Sequence, residues 1–245
     1  MTSCTRQVVM GFDNKPYRTP EKYDRLTEPG VNEALANTEK RHTAHTEPVL
    51  VRLKGFELYV DPAVFNPAFS NIGDLLSDNQ NVQPGEIVLD MGTGTGFQAL
   101  VASRYAALVV ATDRQPEAVA CARKNVRLNK LEQRIDVRQG DLFAALGRER
   151  FDRVLFNVPF VPWKPETPWQ DANSDLEHRS LTAFVEGLSD RLQAGACAVI
   201  TFSDAGDIPY LHHLCEANGY AHRVVAQRAV EGVGYFVYEL RSLAA

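Results

Sequence analysis

The sequence predicts an α/β fold built on a mostly parallel sheet, and three observations carry that prediction. From Gly85 onward, apolar runs alternate with helical stretches: Ile87 to Met91, Phe97 to Tyr105, Leu108 to Thr112, Glu117 to Leu128. Alternation of this kind writes βαβ units, whose crossovers make the strands parallel. A glycine-rich turn, Gly92-Thr93-Gly94-Thr95-Gly96, ends the first run and opens a helix, and open α/β sheets bind ligands at such strand ends. The last two runs, His222 to Ala226 and Tyr235 to Leu240, have no helical stretch between them. They are expected to pair antiparallel.

Residues 1–48 read as an N-terminal extension. Pro16, Pro20, Pro29 and Gly30 interrupt its periodicity, leaving Val31 to His42 as its plausible helix. The expected role is an extension or a lid outside the core, in which Tyr17 and Tyr23 either close over a bound substrate or are disordered in the free protein. Residues 49–245 form one domain. It opens with the β-rich runs Val49 to Leu53 and Phe56 to Val60, split by Lys54-Gly55, a two-residue spacing that predicts a hairpin with Gly55 at positive φ. Asp61-Pro62 ends the hairpin. After the two βα units come short runs at Ile135 to Val137 and Val154 to Phe156, a helix near Leu181 to Leu192, a strand Cys197 to Phe202 and a helix near Tyr210 to Ala217.

Composition narrows the function classes. A 245-residue chain with 44% hydrophobic residues, 23% charged residues and a net charge of -5 is ordinary for a soluble domain and unfavourable to tight nucleic-acid binding. Cys4, Cys121, Cys197 and Cys215 form no CxxC pair, so no zinc site or disulfide framework is written. No apolar leader is present, and nothing approaches the roughly 20 apolar residues of a membrane span, so a cytoplasmic protein is expected. Neither HExxH nor Gly-x-Ser-x-Gly occurs, which leaves metal hydrolysis and serine acyl transfer without support.

The glycine turn points to a nucleoside ligand. Glycine permits positive φ and lets a ligand lie against backbone at a helix N-terminus, where anions are favoured. Dinucleotide sites use G-x-G-x-x-G, but here Phe97 occupies the third-glycine position and the spacing is G-x-G-x-G after Asp90. That suits a ligand without a pyrophosphate: its carboxylate meets the Gly92, Thr93, Gly94 and Gly96 turn while Asp90 reaches an ammonium group. Asp113, followed by Arg114, ends the next strand about twenty residues on, where an acidic side chain accepts from ribose hydroxyls. At a third strand end, Asp141 is placed to accept from an adenine amine beside the Leu142 backbone. A single Asp after a strand is often a helix cap; three at successive strand ends argue for a ligand.

The fourth strand end reads Asn157-Val158-Pro159-Phe160. An Asn side-chain oxygen and a nearby carbonyl together accept two N–H bonds from a planar nitrogen, which turns its lone pair toward an electrophile, while an aromatic ring stacks on the flat group. Asn157 is therefore the candidate catalytic residue, and Pro159, Phe160, Trp163 and Tyr17 are candidate substrate contacts. Trp163 and Trp169 lie in a long proline-rich loop suited to walling a flat ligand, or to packing beneath the loop. His42, His45 and His178 are candidate bases, though surface histidines are commoner.

Together, Val88 to Gly96, Ala111-Thr112-Asp113, Gly140-Asp141-Leu142-Phe143 and Asn157 to Phe160 resemble the "methyltransferase small domain", HemK-like group of N-methyltransferases, over roughly Val60 to Leu240. The resemblance implies a Rossmann-like class I methyltransferase sheet with S-adenosyl-L-methionine (SAM) as cofactor and S-adenosyl-L-homocysteine as product. It also implies that Asn157 marks methylation of planar nitrogens, and that Phe65-Asn66-Pro67-Ala68-Phe69-Ser70 covers the cofactor. Val158 replaces the first proline of the group's Asn-Pro-Pro-aromatic motif, which loosens the loop. The extension resembles neither a release-factor-binding domain nor an RNA-binding module. In length and character the chain is similar to the toxoflavin-pathway N-methyltransferases, which implies a small planar azapteridine as substrate in secondary metabolism. The alternative is a HemK-like methyltransferase of a protein glutamine amide or a nucleobase amine. An NAD-dependent oxidoreductase is opposed by the glycine spacing, and a SAM-binding module without turnover stays open, as does oligomeric state.

Overall fold

The computed structural model describes residues 9–10, 16–17, 29–44, 46–162 and 164–243. Two short strands, β1 (Val9–Met10) and β2 (Pro16–Tyr17), pair antiparallel. Helix α1 (Pro29–Thr43) follows. Its buried residues Val31, Ala34 and Leu35 lie at i, i+3 and i+4, one apolar stripe. That stripe joins the main hydrophobic cluster, so α1 is a packed part of the core, whereas the extension was expected to lie outside it.

The hairpin forms as expected from β3 (Val49–Leu53) and β4 (Phe56–Val60). Lys54 and Gly55 both take positive φ, +47° and +81°, the geometry that two-residue hairpin loops favour. A short 3-10 turn, Pro67–Phe69, is capped by the Asn66 side chain, and α2 (Asn71–Asp78) is capped by Ser70, whose oxygen accepts from the Gly73 N–H at 2.9 Å.

A seven-stranded sheet then forms from β5 (Ile87–Met91), β6 (Leu108–Asp113), β7 (Ile135–Gln139), β8 (Phe151–Asn157), β9 (Leu192–Ser203), β10 (Tyr220–Val230) and β11 (Val233–Ser242). The strand order is β10-β11-β9-β8-β5-β6-β7. All pairings from β9 to β7 are parallel; β11 runs antiparallel to both β9 and β10, which is the antiparallel ending expected. Helices α3 (Phe97–Ala102), α4 (Pro116–Leu128), α5 (Pro168–Asn173), α6 (Arg179–Gly187) and α7 (Ile208–Ala217) make the crossovers and flank the sheet.

Alternation along each strand feeds two cores. Leu89, Val154, Phe156, Ile200 and Phe202 pack toward α6, α7 and α1, while Val88, Val109, Leu155 and Val199 pack toward α2, α3, α4 and the hairpin. The buried Asn125 of α4 clips the hairpin on: its Oδ1 accepts from the Tyr59 N–H at 2.7 Å, and its Nδ2 donates at 2.8 Å to the carbonyls of Tyr59 and Thr95. Thr95 belongs to the glycine turn, so one side chain joins hairpin, helix and turn. Among the described residues no helix is long and apolar enough to cross a membrane.

Candidate active site at the carboxyl ends of the strands

Because β5, β6, β8 and β9 all run the same way, their carboxyl ends share one edge, and the main cavity lies there. The turn after β5 holds Gly92, Gly94 and Gly96 at φ +63°, +55° and +83°, values that cost an L-residue roughly 1–2 kcal/mol. A Cβ on Gly92 would stand 3.2 Å from the Phe156 ring, whereas one on Gly94 would meet nothing within 4 Å. Gly94 thus faces open cavity.

The turn's N–H groups are less bare than its sequence suggests. Thr93 N donates to the Thr112 carbonyl at 2.9 Å, Gly96 N to the Thr93 carbonyl at 2.8 Å and Gly94 N to Asp113 Oδ2 at 2.9 Å. The glycines mainly supply room and shape. Asp90, expected to reach an ammonium group, turns inward instead: it is outside the cavity lining, 1% exposed, and its Oδ2 accepts from Thr93 Oγ1 at 2.6 Å and Ala99 N at 3.0 Å. The reason is depth along the strand: Asp90 pairs with Ala111, two residues short of Asp113 on the same face of the sheet, and so lies below the open edge against α3. Burial pushes its carboxyl up to about 7, against these two hydrogen bonds, with the neighbouring Asp113 charge adding a little.

Asp113 does line the cavity. Its Oδ1 accepts from Gln115 N at 3.0 Å and its Oδ2 from Gly94 N, leaving each oxygen a further lone pair for a hydroxyl donor. Burial raises its carboxyl above the ordinary value. Asp141 and Leu142 also face the cavity, and Leu142 is held at φ +46°, backbone strain of the kind found at ligand sites. Arg114 also lines the cavity, with its guanidinium 2.6 Å from Asp171 of α5, and Gln115 Nε2 reaches the same carboxylate at 2.5 Å. The loop after β6 is thereby latched to α5, which walls the cavity through Asp171, Ala172 and Asn173.

Asn157 and Pro159 line the cavity, as expected. Phe160 does not: it is 7% exposed and packs edge-on against Phe202, centroids 6.2 Å apart. Its N–H donates to the Asn173 carbonyl at 3.1 Å, so the returning strand of the loop turns the ring into the core and away from a stacking position. Trp163 and His45 lie outside the described residues, and Tyr17 is described only as backbone in β2. Trp169 packs on His42, centroids 5.9 Å apart, beneath the loop and away from the cavity.

Neither described histidine candidate sits on the surface. His42 is buried against Phe65, Phe69 and Trp169, with Nδ1 2.9 Å from the Thr38 carbonyl and Nε2 3.1 Å from that of Asn66. His178 is buried, stacked on Tyr210 at 4.5 Å and 3.7 Å from Asp207. Neither lines the cavity.

Phe65, Pro67 and Ser70, from the segment expected to cover the cofactor, line the cavity, and Gly73 of α2 and Gln98 of α3 extend that wall beyond what the motifs indicate. The signal for α2 was present, since Ser70 as a cap precedes apolar residues at Ile72, Leu75 and Leu76; Gly73 in the first turn disguised it.

Residues 49–164 match the family model described as the TRM5/TYW2 methyltransferase domain. The chain is 34% identical over 124 residues to a ribosomal protein uL3 glutamine methyltransferase of Bradyrhizobium diazoefficiens, covering 45% of this chain and 39% of that protein. It is 33% identical over 115 residues to a putative protein N5-glutamine methyltransferase of Methanocaldococcus jannaschii, covering 46% and 56%. The chain spans about half the length, or less, of these curated relatives. The Methanocaldococcus jannaschii tRNA m1G37 methyltransferase has a similar fold, with TM-score 0.61, 19% identity and coverage of 81% of this chain and 55% of that one. A second similar fold is in the Mtq2-Trm112 complex of E. cuniculi, with TM-score 0.55, 20% identity and coverage of 74% and 99%.

SAM is the cofactor that the resemblance implies, and the cavity suits it. Asp113 and Asp141 offer acceptors, and Thr112 and Ser174, two further residues of the lining, carry buried hydroxyls that have no hydrogen-bond partner among the described residues. Gly94 leaves room where any side chain would intrude.

Proposed function

We propose that the chain carries a class I, SAM-dependent methyltransferase domain and methylates a planar nitrogen held by Asn157. The observation that carries this reading is the placement of Asn157 and Pro159 in the lining of the same cavity as the glycine turn, Asp113 and Asp141. SAM supplies a methyl group on a cationic sulfonium sulfur. The protein's part is positioning: Asn157 Oδ1, with a loop carbonyl, accepts the nitrogen's hydrogens and aims its lone pair at the methyl carbon. The C–N bond forms as the carbon–sulfur bond breaks, sulfur keeps the pair, and the nitrogen then releases a proton. Holding two reactants in line can contribute roughly 7–11 kcal/mol in favourable cases.

The similarity to protein glutamine methyltransferases and to a tRNA m1G37 methyltransferase supports a protein glutamine amide or a nucleobase as acceptor. A second reading, a small flat azaheterocycle of the toxoflavin type, is favoured by one feature. Helix α1 packs on α5, with Gln170 donating to Glu39 at 3.0 Å and His42 against Trp169, and α5 in turn walls the cavity through Asp171, Ala172 and Asn173. The test is tritium transfer from SAM to a panel of release factor, ribosomal protein uL3, unmodified tRNA and azapteridines. Label in protein or tRNA supports the first acceptor class and label in the azapteridines the second; label on oxygen or sulfur in every product refutes the N-methyl reading.

A further inference from the structure

Asn157 is the last residue of β8, and its register partner in the parallel ladder is Thr201 of β9. Paired residues in a ladder project to the same side, so the two side chains lie next to each other. Thr201 is wholly buried, and its Oγ1 is 2.6 Å from Asn157 Oδ1. Ser203, the next residue on that face of β9, commits its hydroxyl to the Gly234 carbonyl at 3.0 Å and does not compete.

A carboxamide has two ends of nearly equal shape and opposite hydrogen-bonding sense, one accepting and one donating. A hydroxyl that donates to the oxygen fixes which end faces which way. We propose that Thr201 is a positioning residue that locks the Asn157 carboxamide, so that the remaining lone pair of Oδ1 is presented to the methyl acceptor. The lock selects for chemistry as well as geometry. A site offering an acceptor oxygen takes a planar nitrogen that carries hydrogen, such as an amide, an exocyclic amine or a ring N–H, and rejects nitrogens and oxygens that only accept. The inference rests on the role given to Asn157 above.

The variants Thr201→Val, Thr201→Ser and Asn157→Ala separate the two claims. Tritium transfer from SAM to whichever panel member the native protein labels gives turnover, and titration gives SAM affinity. Thr201→Val keeps the side-chain shape and removes the hydroxyl; losing one orienting hydrogen bond is expected to lower kcat about tenfold. SAM affinity should stay within about twofold and the melting temperature nearly unchanged, and Thr201→Ser should restore turnover. A readout that needs no acceptor is the Asn157 side-chain NH₂ resonance in ¹⁵N NMR, identified by its loss in Asn157→Asp: a single narrow pair in the native protein, broadened or doubled in Thr201→Val. Full activity of Thr201→Val beside an inactive Asn157→Ala overturns the lock and spares the site reading. Full activity of Asn157→Ala overturns both. A kcat loss matched by loss of SAM affinity and stability, no rescue by serine, or an unchanged NH₂ pair in Thr201→Val also overturns the lock.

Discussion

Replacing Gly94 with alanine separates what the glycine turn does for folding from what it does for binding. At φ +55° an alanine pays roughly 1–2 kcal/mol for the left-handed backbone, and its Cβ meets no protein atom within 4 Å, so no packing clash adds to that. At about 2–4 °C per kcal/mol for a domain of this size, the melting temperature should fall by roughly 2–8 °C. The same methyl group enters the cavity beside Asp113, whose Oδ2 holds the Gly94 N–H, and SAM should bind at least about tenfold more weakly, a loss of ~1.4 kcal/mol. Gly92→Ala is the contrast, because its Cβ would press on Phe156 at 3.2 Å and the cost falls first on stability. Differential scanning fluorimetry with and without SAM, alongside calorimetric titration, reads both effects. Native SAM affinity in Gly94→Ala would refute the placement of the cofactor over this turn.

Three further outcomes follow from other parts of the molecule. Burial holds the Asp90 carboxyl protonated up to about 7 against an ordinary 3.8, so between these values the folded state keeps a proton that the unfolded chain has lost. Stability is then favoured at low pH and falls as pH rises toward 7, by at most ~4 kcal/mol at 1.36 kcal/mol per pH unit; the stability difference between the native protein and Asp90→Asn, followed by urea melts, should shift by that sense across this window and then level off. Asn125→Ala strands the Tyr59 N–H and the Tyr59 and Thr95 carbonyls, and urea melts should show a loss of about 2–4 kcal/mol together with weaker SAM binding, because Thr95 is in the turn. Glu86→Ala leaves the guanidinium of Arg153, 6% exposed and 2.8 Å from Glu86, buried without its carboxylate; that should cost about 3–5 kcal/mol, with SAM affinity unchanged because the pair lies at the opposite end of β5 and β8.

Much of this architecture is legible in the sequence because strand ends and periodicity are local properties. The hairpin, the βα alternation, the antiparallel end and the cavity positions of Asp113, Asp141, Leu142 and Asn157 follow from pattern alone. What the pattern does not carry is direction and long-range pairing. Asp90 stands near a strand end on the same face as Asp113, yet its register partner is Ala111, two residues short of Asp113, so it sits below the open edge and is capped over by α3. Phe160 follows Pro159 as an aromatic should, yet a backbone bond to Asn173 turns its ring into the core. Thr201 has no motif of its own, because its role depends on a neighbour forty-four positions away in the chain. The helix α1, polar on most faces, shows its apolar stripe only once the surface it docks on is known.

The role of Asn157 in holding a planar nitrogen for methylation by SAM is open to a single comparison: native protein against Asn157→Ala in single-turnover methyl transfer, with SAM affinity measured separately and the methylated atom located by mass spectrometry. The expected result is a methyl group on nitrogen in the native reaction, a fall of at least about a hundredfold in the variant's rate and unchanged SAM affinity. Undiminished transfer by Asn157→Ala, or a methyl group located on oxygen or sulfur, would contradict it.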